Sequence, residues 1–246
     1  MQIYLIVLAS IQWAFPPCHA ATFTVSSQAD DGDGSLRVAI TSANTAASVD
    51  VIRFTFGGTG RVELRLLSPL PAITDAVIID GLLQDTVRVV VNAETLSLIT
   101  PGPANSRDAL VVRANNVTIR GLAFMSSPTS GINLESGANF LVERSVVFNN
   151  TESGINLRGT VATGKPQTAM DAVIRSCLVY GNGAEGVRVA IPRSSIQVCR
   201  LSPPTPADTR VMFVHVHSTC HRTLTRSAKK PPPPLRLSPP YIIPRI

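Results

Sequence analysis

The polar residues best placed to do chemistry belong to a recurring block. Residues 130–135 read Ser-Gly-Ile-Asn-Leu-Glu, residues 153–158 read Ser-Gly-Ile-Asn-Leu-Arg, and a looser Gly-Val-Arg-Val-Ala begins at Gly186. In a strand, alternate side chains point to opposite faces, so Ile132, Leu134, Ile155, Leu157, Val187 and Val189 turn inward. Asn133, Glu135, Asn156, Arg158 and Arg188 then turn outward, and Val111 and Arg113 join them from Ala-Leu-Val-Val-Arg at 109–113. Two outward columns result, Val111-Asn133-Asn156-Arg188 and Arg113-Glu135-Arg158. Such a polar strip could bind an extended polysaccharide. Read structurally, the Arg-Glu-Arg alternation neutralises itself and holds register, each exposed pair contributing about 0–1 kcal/mol.

Catalysis asks for more than this strip provides. Hydrolysis by paired carboxylates needs two acids about 5–10 Å apart. Lyase chemistry needs acids that hold a cation and a base near the proton to be removed. Glu135 and Asp171 are the acids of the later repeats with a role in reach, and they do not fall on one face; Glu143, Glu152 and Glu185 fall at turns or on other faces. The single Trp, Trp13, lies near the N-terminus, so the strip has no aromatic platform for a sugar ring.

Two further clusters resemble metal sites. Asp30, Asp31 and Asp33 in Asp-Asp-Gly-Asp-Gly offer hard oxygen donors, but no bidentate Glu follows at the required spacing. The following Ser35 to Ile40 reads instead as a short helix capped by Ser35 or Asp33, covering the open end of a coil. His215, His217, Cys220 and His221 supply imidazole and thiolate donors without a folded support. No metal site is therefore expected.

The recurring block needs a scaffold that returns the chain to the same place. Gly131 and Gly154 lie 23 residues apart, the length of one turn of a wide β-coil. After each block come an apolar triplet, a polar break, a second triplet and an Asn- or Gly-bearing turn. Phe140-Leu141-Val142, Val146-Val147-Phe148 and Asn149-Asn150 form one instance; Ala172-Val173-Ile174, Leu178-Val179-Tyr180 and Gly181-Asn182 form the next. The unit at Asn116 to Phe124 repeats this grammar. Three short strands per coil cannot close a core alone, but stacked coils can. Gly186 follows Gly154 by 32 residues, and the excess fits a corner loop at Val161 to Ala169. Asn150 and Asn182 recur at one turn and could form an amide ladder from coil to coil.

These repeats, with Ala21-Thr22-Phe23-Thr24-Val25, Asp30 to Ile40, Ser68 to Thr74 and Val77-Ile78-Ile79-Asp80-Gly81, resemble the right-handed parallel β-helix proteins of the pectin-lyase-like superfamily. The resemblance covers residues 21–190. It implies an all-β solenoid with a short N-terminal helix sealing the first coil, and resembles secreted or surface members, here cut short. In lyases of that superfamily the equivalent face carries calcium-binding carboxylates beside an Arg or Lys base. The fold hosts lyases, hydrolases, adhesins and passive scaffolds alike.

The apolar run Ile3 to Phe15, followed by Pro16-Pro17-Cys18-His19-Ala20, reads as a secretory signal over residues 1–20, cleaved after Ala20 or Ala21. It is short for a bilayer span, and no membrane span is expected. The net charge of +6 is unevenly divided: residues 191–246 carry nine Lys or Arg and one acid, and the rest is slightly negative. The basic balance therefore does not indicate nucleic acid. Residues 191–246 also carry eleven of the nineteen prolines, which cannot continue a sheet ladder. They read as a disordered Pro-rich basic tail, or as the product of a shifted reading frame near Ala190. Cys177 reads as a small buried filler, and Cys199 and Cys220 could pair in an exported chain. Asn149 and Asn116 open N-glycosylation sequons, Asn149 the better acceptor and Asn116 more enclosed at a strand start.

The sequence thus leads to a secreted or cell-surface β-helix, non-catalytic, in adhesion or extracellular glycan binding. The alternative is a polysaccharide lyase or glycoside hydrolase, or a fragment of one. Partners would be an extracellular polysaccharide, a cell-surface glycan, or a second copy meeting an uncapped coil edge. No cofactor is expected; calcium would enter only with the enzyme reading.

Overall fold

In the computed structural model, the described residues run from 20 to 199, apart from 47, 59, 83–86, 99–106, 159–170 and 190–194. Residues 1–19 of the signal segment, the corner loop at Val161 to Ala169, the tail's His/Cys cluster, Cys220 and residues 200–246 lie outside them.

The alternation of short apolar runs and turns builds three parallel sheets that wind about one axis. The first face holds β1 (Thr22–Val25), β2 (Asp50–Phe54), β4 (Val77–Asp80), β7 (Thr118–Arg120), β10 (Phe140–Glu143), β13 (Asp171–Arg175) and β16 (Ser195–Cys199). The second holds β3 (Gly60–Arg65), β5 (Val87–Asn92), β8 (Leu122–Met125), β11 (Val146–Phe148) and β14 (Leu178–Tyr180). The third holds β6 (Leu110–Val112), β9 (Ile132–Leu134), β12 (Ile155–Leu157) and β15 (Val187–Val189). Each complete coil visits the faces in the order first, second, third, which makes the chain a parallel β-helix. β16 adds a rung beyond residue 190, where the proline content predicts that the coil ends; Pro192 precedes the strand and so removes no ladder donor from it.

Inside, like residues stack on like. Ile52, Ile79, Ile119, Val142 and Ile174 form one column from the first face, and Leu64, Val91, Phe124, Val147 and Val179 form one from the second. The third face contributes Leu110, Ile132, Ile155 and Val187 beside Val112, Leu134, Leu157 and Val189. Coils repeat at about 4.8 Å, the strand spacing of a sheet, so branched side chains meet along each column in van der Waals contact.

The repeat glycine is explained by space. A Cβ on Gly131 would lie 2.6 Å from Val147 Cγ1 and 2.9 Å from Asn150 Nδ2; one on Gly154 would lie 2.7 Å from Val179 Cγ1 and 2.8 Å from Asn182 Nδ2. The corner asparagines occupy that room, and they do form the ladder. Ser127 N donates to Asn150 Oδ1 at 2.9 Å, Asn150 Nδ2 to Asn182 Oδ1 at 2.9 Å, and Asn182 Nδ2 to Val147 O at 3.3 Å.

At the lower end, helix α1 (Leu36–Ala43) buries Leu36, Ala39, Ile40 and Ala43 against the first coils, and Ser35 is its cap, its hydroxyl accepting from Val38 N. The Asp-rich motif serves this cap. Arg37 Nη2 bonds both oxygens of Asp30 at 2.9 Å and Ser68 O at 2.9 Å, while Nη1 donates to Pro69 O at 2.6 Å. Asp30 in turn accepts from Leu67 N and Ser68 Oγ. Asn44 at the other helix end donates to Ala72 O and accepts from Thr74 N.

Two substitutions test this packing by urea unfolding. Gly154→Ala is expected to cost about 1–3 kcal/mol through overpacking, whereas Gly57→Ala, with open space around it, stays near neutral. Arg37→Lys is expected to lose about 2–4 kcal/mol, because an ammonium cannot span the carboxylate and both carbonyls at once.

Candidate functional site

The outer surface of the third face assembles the sequence-predicted residues in the expected register. Val111 pairs with Asn133, Asn133 with Asn156, and Asn156 with Arg188. Arg113, Glu135 and Arg158 each follow the last residue of their strand and stack in the second column, as Glu135 N bonds Val112 O and Arg158 N bonds Leu134 O.

Two features of this strip differ from expectation. Asn133 and Asn156 are not solvent-facing: they are only 3% and 7% exposed. Asn133 is drawn onto an acid that the strand pattern does not single out, Asp108, donating Nδ2 to its Oδ2 at 2.8 Å. Asp108 Oδ1 also accepts from Thr129 Oγ1 at 2.7 Å and Ser130 N at 2.8 Å. Asp108 lies two residues before β6, and only the coil-to-coil alignment brings it beside β9. The same Asn133 nitrogen stands 3.5 Å from Glu135 Oε1, so one amide lies between two carboxylates. Asn133 Oδ1 and Asn156 Oδ1 are buried without a hydrogen-bond partner. Secondly, the second column is not a three-membered ladder. Glu135 pairs with Arg113, Nε to Oε2 at 2.6 Å, and Arg158 and Arg188 are exposed one coil apart.

The alternating charge column stands on the first face instead. Its register runs Arg53, Asp80, Arg120, Glu143, Arg175. Arg120 Nη2 meets Asp80 Oδ2 at 2.6 Å and Arg175 Nη2 meets Glu143 Oε2 at 2.6 Å. Asp80 is 1% exposed. The hydrogen bond that Arg120 donates to Asp80 raises the Arg120 pKa above its ordinary value, burial opposes that, and the charges of Asp80 and Glu143 add to the rise. Asp171 lies on this face too, away from Glu135 on the third, so those two acids do not meet.

The second face carries the aromatics that the strip lacks. Phe148 and Tyr180, on successive coils, stack with centroids 5.2 Å apart and planes 10° apart. Their outward position follows from the alternation that buries Val147 and Val179. Cys177 is buried as expected, and burial pushes its thiol pKa up despite backbone hydrogen bonds. The sequon residues Asn149 and Asn116 are both exposed at corners with left-handed backbones, φ 53° and 57°; Asn116 is not enclosed, because the chain bends before its strand begins at Thr118. Among the described residues no group of three or more His, Cys, Asp or Glu could hold a metal ion, and no helix is long and apolar enough to cross a membrane.

The family-model comparison agrees with this architecture. Residues 83–199 match the family model described as right handed beta helix region. The 1.7 Å crystal structure of jun a 1, the major allergen from cedar pollen, matches at 15% identity and a TM-score of 0.41. That match covers 75% of this chain and 64% of the allergen chain, so the protein spans less than two thirds of the allergen's length. No curated protein sequence matches the chain. The chain folds as a right-handed parallel β-helix.

Proposed function

We propose that the protein is an extracellular β-helix module that binds an acidic glycan on its third face without cleaving it. The observation that carries this reading is the division of charge there. Glu135 is neutralised by Arg113 and Asp108 is held by Thr129, Ser130 and Asn133, while Arg158 and Arg188 are exposed on adjacent coils with no acidic partner among the described residues. Guanidinium groups bind carboxylates with two parallel hydrogen bonds, a geometry that suits a chain of uronate residues lying along the stacked strands. The surface is rigid because each strand beneath it is hydrogen-bonded on its neighbours. Export is supported by the small-residue ending of the N-terminal apolar run and by the two exposed sequons.

A second reading, a carbohydrate-active enzyme, rests on the Asp108 and Glu135 carboxylates that flank Asn133. Two acids joined through one amide are close enough for an acid and base to act on one sugar linkage.

Titration calorimetry with polygalacturonate separates the two. Binding is expected to weaken about tenfold in Arg158→Ala, Arg188→Ala together, to fall with added salt, and to release no shortened or unsaturated product. Product formation lost in Glu135→Gln would sink the binding-only reading in favour of the enzyme.

A further inference from the structure

The most buried acid among the described residues has one carboxylate oxygen without a partner. Asp50, the first residue of β2, is 0% exposed. Its Oδ1 accepts from Ser48 Oγ at 2.9 Å and from the backbone nitrogen of Ala21 at 2.8 Å, whereas Oδ2 is buried with no hydrogen-bond partner. A buried carboxylate served only by neutral donors, with one oxygen empty, is costly to maintain. The group that would remove this cost is a cation at the Ala21 nitrogen.

That nitrogen lies one bond from the end of the signal-like segment, residues 1–20. Cys18 and Ala20 are small residues at alternate positions before it, and Ala20 is exposed. Ala21 is held on its other side as well, its carbonyl accepting from Val51 N at 2.9 Å. We infer that the chain is processed at the Ala20–Ala21 bond and that the freed α-ammonium of Ala21 is the ionic partner of buried Asp50, pinning β1 onto β2. This rests on the proposed export of the chain and goes beyond it in naming the bond and the socket.

The step needs water and an endopeptidase of the leader-removing class. Water adds across the amide: the C–N bond breaks, the hydroxyl passes to the Ala20 carbonyl carbon, and the Ala21 nitrogen leaves as an amine that takes a proton. One N–H donor becomes three on a positive centre, enough for both carboxylate oxygens. Cleavage one residue later would start the chain at Thr22 and leave Asp50 without this contact.

The experiment expresses the full gene with its own leader in a secreting host and reads the N-terminus of the exported protein by mass spectrometry. A start at Ala21 is expected; export with any other start overturns the inference but leaves the export reading standing, and failure to export overturns both. A glycine inserted between Ala20 and Ala21 then displaces the amine by one residue. The unfolding equilibrium constant is expected to rise tenfold or more on this insertion, and to change little when the insertion is made in Asp50→Asn. An equal effect in both backgrounds, or none in the parent, would refute the ion pair. If Asp50→Asn does not fold, selective acetylation of the exported protein's α-amine supplies the comparison: it must destabilise the parent by a similar factor.

Discussion

The corner where Asn150 and Asn182 stack against Gly131 and Gly154 governs the rest of the molecule. In a parallel β-helix every backbone group of a coil is satisfied by the coils above and below, so an axial slip would break many hydrogen bonds at once. The asparagine ladder ties the corner of one coil to the next through side-chain amides. It fits only because the neighbouring repeat residue has no side chain. With the corner held, the three strands of each coil fall into register, and interior columns of Ile, Leu and Val follow.

The same register gives each outer face its own chemistry. Vertical neighbours on the first face alternate in sign, and their ion pairs close on one another. On the second face, Phe148 and Tyr180 of successive coils stack. The third face consumes its acids internally and leaves guanidinium groups outward. A solenoid multiplies whatever its repeat places outside, so the binding face we propose is the one where the column is left unneutralised.

The lower end is organised differently, by polar side-chain contacts that reach backbone groups distant in sequence. Arg37 gathers Asp30 and the carbonyls of Ser68 and Pro69 over the first coil, and Asp50 holds the start of β1. A sheet end cannot satisfy its own backbone, and a polar clasp with a helix over it both covers the core and blocks further pairing.

The number of strands per coil, the inward residues, the capping helix and the asparagine ladder were legible in the chain, because a period of two within strands and a period of 23 between glycines are local properties. Tertiary structure alone decided which charges meet. Glu135 lies midway between Arg113 and Arg158 in the column, yet it pairs with Arg113; Asp108 is outside every strand, yet it takes Asn133. The ladder expected on the third face formed on the first, where Asp80, Arg120 and Glu143 come from three different coils. Strand periodicity specifies the direction of a side chain relative to its own backbone. Which partner it reaches depends on the length and path of the turns between strands, and those are settled only when the coils stack.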